Sequence, residues 1–195
     1  MHEPLAHSAR LGIPAQSYAD HVGNVIKYAR HFAHEVATYS VTRGGALTDV
    51  VGQVAPYHDL GKLDEIFQQV LRTNSHNETG YNHVDAGTAY LRSLKQYEAA
   101  LCVYSHHRGL RSLPEETSKG KLVLRDPKQL TGLDQTSWQR TDEHLTDYLC
   151  QHHQIFEPVT PTKNEHLSGL LRRLTLSCLV DADHSDTAIS YPVWY

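Results

Sequence analysis

The sequence predicts an all-α helical bundle, and three observations carry that prediction. Apolar residues recur at three- and four-residue steps in several stretches, and no stretch sustains the alternate-residue pattern of a half-buried strand. A chain of 195 residues, 39% hydrophobic and 21% charged, is large enough for one domain with a sizeable core. One excess stands out against this ordinary composition: 15 residues are histidine, too many to treat as background.

Taken in order, Ser17-x-x-Asp20 reads as a capping box that opens a long helix. Its apolar stripe, Val22, Val25, Ile26, Ala29, Phe32, Ala33 and Val36, leaves His21 on the margin. Gly44-Gly45 breaks that helix, and a second one runs from about Leu47 to His58-Asp59, with Pro56 bending its last turn. Gly61 is expected to turn the backbone sharply before a short amphipathic helix marked by Leu63, Ile66, Phe67, Val70 and Leu71. Residues 73–82 form a polar loop. Asn82-x-x-Asp85 resembles a second capping box, which sets His83 in a first helical turn. A helix from Tyr97 to Tyr104 ends at Ser105-His106-His107-Arg108-Gly109.

From Leu113 to Trp138 the chain is polar, with Lys119, Lys121, Arg125 and Lys128 close together. Such a run is a solvated loop or, alternatively, a DNA-contacting flap. A helix near residues 141–153 follows, and its His144, His152 and His153 read as surface residues. In the last helix Leu167, Leu170, Leu171, Leu174 and Cys178 define an apolar face that also carries Asp181. A carboxylate on such a face must be paired or bind a metal, because isolated burial is costly. Asp183 and Asp186 are expected to cap that helix or support the site.

Composition excludes several classes. No run of 18 apolar residues is present, and the first residues lack a basic region followed by an apolar stretch, so a cytoplasmic protein off the membrane is expected. Cys102, Cys150 and Cys178 are too widely spaced for a zinc knuckle and odd in number for a disulfide framework. No GxxxxGK[ST] loop appears, so the chain carries no motor of its own. With a net charge of −4 it lacks the broad basic face of a protein that finds nucleic acid unaided.

The chemistry centres on Tyr57-His58-Asp59-Leu60-Gly61-Lys62. Adjacent His58 and Asp59 put an imidazole and a carboxylate at one point, a pairing suited to a divalent metal, although a lone His-Asp is more often a cap or a surface hydrogen bond. Lys62 is either a solvated charge or a cation facing a phosphate. His21, His83, the His106-His107 pair and Asp181 each lie on a different element and converge only in a folded domain.

The order His21, His58-Asp59 within HDLGK, His83, His106-His107 and Asp181 within LVDADHSDT resembles the HD superfamily of metal-dependent phosphohydrolases. More narrowly it is similar to the HD nuclease of type I CRISPR interference, the Cas-three nuclease. Leu5-Ala6-His7-Ser8, Phe67, and the closing Asp181-Ala182-Asp183 with Asp186-Thr187 are the narrower cues, and the likeness runs from about residue 4 to residue 190, weakest across 112–160. Two departures are visible. Val84 follows His83 where relatives carry a small hydroxyl residue, and His184 stands where they often carry tryptophan.

The resemblance implies one HD-domain helical bundle over residues 1–195, with a variable polar insertion at about 112–160 and a central dinuclear metal site. Asp59 would bridge two divalent ions; His21, His58 and Asp181 would complete one site, and His83, His106 and His107 the other. So many imidazoles favour Mn²⁺, Fe²⁺, Co²⁺ or Ni²⁺ over Mg²⁺. Asp59 and Lys62 would be the catalytic groups, with Lys62 and Arg108 contacting the substrate. The implied activity is hydrolysis of single-stranded DNA in antiviral defence. The strand would be presented by a CRISPR helicase, on a separate chain or beyond residue 195, and by the surveillance complex, Cascade. Two alternatives stay open: a stand-alone HD phosphohydrolase acting on nucleotides or cyclic nucleotides, and a catalytically silent metal-binding scaffold. Against a cyclic-dinucleotide subtype, His107-Arg108-Gly109 continues with Leu110-Arg111 rather than Tyr-Pro.

Overall fold

Helix α1 (Tyr18–Ala37) opens directly after the extended Ser17, whose hydroxyl oxygen accepts a hydrogen bond from the Asp20 amide. Such a cap contributes about 1 kcal/mol. The box closes differently from the sequence expectation, because the Asp20 carboxylate accepts from the Ser17 hydroxyl at 2.7 Å. The computed structural model describes residues 2–40, 42–75, 81–125, 127, 135–163 and 166–191. Among these are seven further α-helices: α2 (Gly44–Tyr57), α3 (Glu65–Thr73), α4 (Val84–Ser93), α5 (Tyr97–Ser105), α6 (Leu113–Thr117), α7 (Ser137–His153) and α8 (Gly169–Ser190). The protein is all-α. A short antiparallel pair, β1 (Leu5–His7) with β2 (Gln16–Ser17), precedes α1, with Leu5 opposite Ser17 and His7 opposite Gln16. Neither strand is long enough to leave a period-two signal in the sequence.

The helices form two groups. In one, α1 packs on α2 and α8; in the other, α4 packs on α5 and α7; α2 and α8 both touch α5 and so join them. Burial follows the α1 stripe: Val22, Val25, Ala29 and Ala33 are buried beside Leu47, Val51 and Val54 of α2 and Leu179 of α8. Each large aliphatic side chain removed from water there contributes about 1.5–3 kcal/mol. None of the described helices is long and apolar enough to cross a membrane.

Several local expectations are corrected. Helix α2 begins at Gly44, where a Cβ would lie 2.8 Å from the Ala37 carbonyl oxygen, so the glycine admits the close approach of α1. Gly61 lies in a 3-10 turn, Leu60–Leu63, and supplies no left-handed turn; a Cβ on it would lie 2.2 Å from the His83 carbonyl oxygen. Gly87 makes the matching approach from α4, with a Cβ position 1.9 Å from the Tyr57 carbonyl oxygen. These two glycines press the start of α4 against the end of α2. Asp85 forms no capping box: its carboxylate is buried and takes Arg125 Nε at 2.9 Å and Nη2 at 2.8 Å.

The polar stretch after Leu113 also differs from a flap. Arg125 is buried between Asp85 and Asp142, and Lys119 is paired with Glu116 at 2.6 Å, so neither is free for a nucleic-acid backbone. Lys121 is exposed, and Lys128 lies outside the described residues. Helix α7 packs on α4 and on the 3-10 turn, held by Arg140 Nε 2.7 Å from the buried Asp64, which also caps α3 and accepts from the Tyr148 hydroxyl. Of the three histidines in α7, His144 and His153 are half-buried and His152 is fully buried.

Candidate metal centre

Element ends meet at the seam between the two helical groups. His21 sits in the first turn of α1; His58 follows the last residue of α2, and Asp59 opens the 3-10 turn; His83 directly precedes α4; His106 and His107 follow α5. Helix ends are where adjacent residues escape the fixed angular steps of a helix, which lets both His106 and His107 face one point. Six of the seven expected ligands are brought together. His21, His58 and Asp59 form one group, and Asp59, His83, His106 and His107 another, with the ligand atoms of each group within 4.8 Å of one another.

Asp59 stands between them. Its Oδ2 lies 3.0 Å from His21 Nε2 and 3.4 Å from His58 Nε2, while Oδ1 lies 3.2 Å from His83 Nε2 and 3.9 Å from His106 Nε2. His83 Nε2 and His107 Nε2 are 3.0 Å apart. Donors bound to one ion at about 2.1 Å stand roughly 3 Å from one another, so these separations suit shared ions.

Three imidazoles are aimed by hydrogen bonds on their far side. His58 Nδ1 donates to the Ala55 carbonyl at 2.7 Å, and His106 Nδ1 to the Val103 carbonyl at 2.6 Å. His21 Nδ1 donates to Asp186 Oδ2 at 2.7 Å, and that carboxylate also accepts from Gln16 and Asn24. Fixing the proton on Nδ1 turns Nε2 toward Asp59, the usual support for a metal-binding histidine.

Protonation follows from burial and neighbours. Desolvation pushes His58 down, and holds His106 and His107 at about 3, with neighbouring histidines adding to it. These rings are therefore neutral near pH 7 and keep a lone pair for a ligand. Burial also opposes the charged form of His21, but the bonds to Asp186 and Asp59 outweigh it and raise its pKa. For Asp59 burial works toward the neutral acid, while Lys62 foremost, then His58, His21 and His83, hold the carboxyl well below the ordinary range. Lys62, almost fully buried, places Nζ 2.7 Å from Asp59 Oδ2.

Asp181 is not brought into either group. It is exposed, and its carboxylate accepts from Ser177 Oγ at 3.0 Å. The carboxylates of α8 that face the site are Asp183, buried with Oδ1 3.4 Å from His21 Nε2, and Asp186. The helix presents Leu171, Thr175, Cys178, Leu179, Ala182, Asp183 and Asp186 to the interior, whereas Leu170, part of the expected stripe, is 65% exposed. Small and hydroxyl residues on the true inner face shifted the apparent phase. His7, on β1, is the other residue the spacing did not single out: its ring meets His21 edge-on, centroids 4.6 Å apart, and burial foremost, then Lys62, lowers its pKa to about 2. Arg108 is exposed in the turn after His107.

A metal fits these residues on the structure's own terms. Asp59 Oδ1 and His106 Nε2 are buried and take no hydrogen bond, an arrangement that is costly unless an ion or water completes it. The protein is thus an all-α chain with buried His/Asp groups that could hold a metal ion. No family model, curated protein or solved structure matches the chain.

Proposed function

We propose that the chain is a metal-dependent phosphodiesterase of the HD type, cutting single-stranded DNA presented by a CRISPR helicase and surveillance complex. The observation that carries this reading is the division of Asp59, with one oxygen toward His21 and His58 and the other toward His83 and His106. A single carboxylate serving two imidazole groups suits a pair of ions, with Asp183 completing the His21 and His58 group and His107 the other. Bound there, two divalent ions supply an activated water and Lewis-acid stabilisation of the attacking and leaving oxygens of a phosphodiester. The imidazole-rich donor set favours Mn²⁺, Fe²⁺, Co²⁺ or Ni²⁺.

The chain's own groups supply the rest. Asp186 holds the His21 tautomer, and the Ala55 and Val103 carbonyls hold those of His58 and His106. Lys62 offers a cation next to Asp59, with donors to spare for a phosphate oxygen on which charge develops. Arg108, outward of His107, suits a phosphate further along the strand. A net charge of −4 leaves little counterion-release free energy to hold DNA, which supports delivery by a helicase partner, in trans or encoded beyond Tyr195.

The test is to load the purified chain with each divalent metal and offer single-stranded DNA, closed duplex, RNA and free nucleotides. Cleavage of single strands with the closed duplex spared is expected, and adding the helicase, the surveillance complex and ATP should convert the duplex to a substrate. Rapid ATP-independent degradation of closed, relaxed duplex would overturn the delivery argument. Equal or faster hydrolysis of nucleotides would move the assignment to a stand-alone phosphohydrolase, and metal uptake without turnover of any substrate to a silent scaffold.

A further inference from the structure

An open cleft of about 570 Å³ runs from His106 and His107 along one side of α8. Its α8 wall is a single helical stripe, Arg173, Leu176, Ser177, Val180 and Asp181, and Leu110 lies across from it. The volume is that of a small-ligand site, and the end at His106 and His107 opens on the candidate metal centre. The composition is graded. Leu110, Leu176 and Val180 give apolar surface for a base or sugar face, Arg173 is an exposed cation just over two turns from Asp181, and Asp181 is an exposed acceptor steadied by Ser177. A carboxylate that shares the cleft with His106 and His107 but lies outside both ligand groups repels phosphate and takes a donor such as a base amino or sugar hydroxyl.

We infer that this cleft is the nucleoside subsite beside the scissile phosphate, with Asp181 accepting from the nucleoside and Arg173 meeting the next phosphate of the strand. The inference rests on the proposed phosphodiesterase reading and assigns Asp181 to substrate rather than to metal. It also makes the substrate at least a dinucleotide, since Arg173 has no phosphate to meet in a single nucleotide whose phosphate sits at the metals.

The test uses Arg173→Ala and Ser177→Trp, both at exposed positions of α8, in the metal-loaded full chain. Two substrates are compared: a short single-stranded oligodeoxynucleotide, and bis(p-nitrophenyl) phosphate, which carries no nucleoside. Binding of a fluorescently labelled phosphorothioate oligonucleotide is read separately by anisotropy. Arg173→Ala should weaken oligonucleotide binding and raise KM about tenfold, the loss of one charge-assisted hydrogen bond. Ser177→Trp, which fills the cleft, should lower oligonucleotide binding and cleavage at least as far. Metal content and turnover of the small diester should stay at the parental level in both. Parental binding and cleavage of the oligonucleotide in both variants would overturn the inference while leaving the phosphodiesterase reading intact. A parental chain that carries its metals yet hydrolyses neither substrate would overturn the reading and the inference together.

Discussion

Among the described residues two clusters of histidine stand out, and one of them is gathered around a carboxylate. At the seam, His21, His58, His83, His106 and His107 surround the carboxylate of Asp59. Behind it, His152 and His153 of α7 sit among Tyr18, Tyr57, Tyr90 and Phe156. Each cluster has buried imidazoles, His21, His58 and His106 in one and His152 in the other, and desolvation lowers His152 to about 3 much as it lowers His106. They differ in what faces the rings. His152 Nδ1 is hydrogen-bonded to the Tyr18 hydroxyl at 3.0 Å, and no carboxylate stands among its ring partners. Burial of histidine, even with one ring nitrogen held by a hydrogen bond, is therefore no sign of a metal by itself; the shared carboxylate of Asp59 is what separates the two.

The contrast is broken most directly at Asp59. Asp59→Ala should abolish metal binding in both groups and lower phosphodiesterase activity by on the order of a thousandfold or more. Elemental analysis gives the metal content and circular dichroism the retained helicity. Two ions per chain in the variant would refute the bridging assignment.

Gly61→Ala attacks the same convergence through packing. The new methyl would meet the His83 carbonyl, so α4 must draw away from the end of α2, at about 3 kcal/mol by the scale of overpacked cores. The His83, His106 and His107 group should lose affinity while His21 and His58 keep theirs. Urea unfolding and metal titration read the two effects; parental values in both would show that the approach is not constrained.

The two aspartates of α8 sharpen the comparison. Asp183→Ala, and Asp186→Asn through its hold on His21, should each weaken the first metal group by about 10–100-fold. Asp181→Ala should leave metal affinity at the parental value. Isothermal titration of the three variants decides it, and the reverse pattern would restore Asp181 as ligand.

The smallest effect belongs to the second cluster. His152 has a folded pKa of about 3 against about 6.5 when unfolded, so the unfolded chain binds more protons in that window. Its contribution to stability is full above pH 6.5 and is lost as pH falls toward 3, by about 1.4 kcal/mol at pH 5.5. His152→Phe should shrink the stability difference between pH 7.5 and 5.5 by that amount and leave metal content untouched. An unchanged pH dependence, read by urea unfolding, would place the acid sensitivity elsewhere.

The sequence by itself determined the helical class, because stripes such as Val22, Val25, Ala29 and Ala33 have a period that only a helix can bury on one side. It also singled out His58-Asp59 and Lys62 and the other four histidines of the centre, since adjacent or recurrent ligand types are visible without coordinates. What it missed depends on phase and on contact. The rotation of α8 that turns Asp183 and Asp186 inward and Asp181 outward is set by packing against α1, α2 and α5, and the sequence stripe misjudged it because Thr175 and Ala182 carry little apolar weight. The burial of His152 and Arg125, and the work of Gly61 and Gly87, were invisible for the same reason: a residue's partners across 22 to 134 residues of chain exist only once the helices have docked.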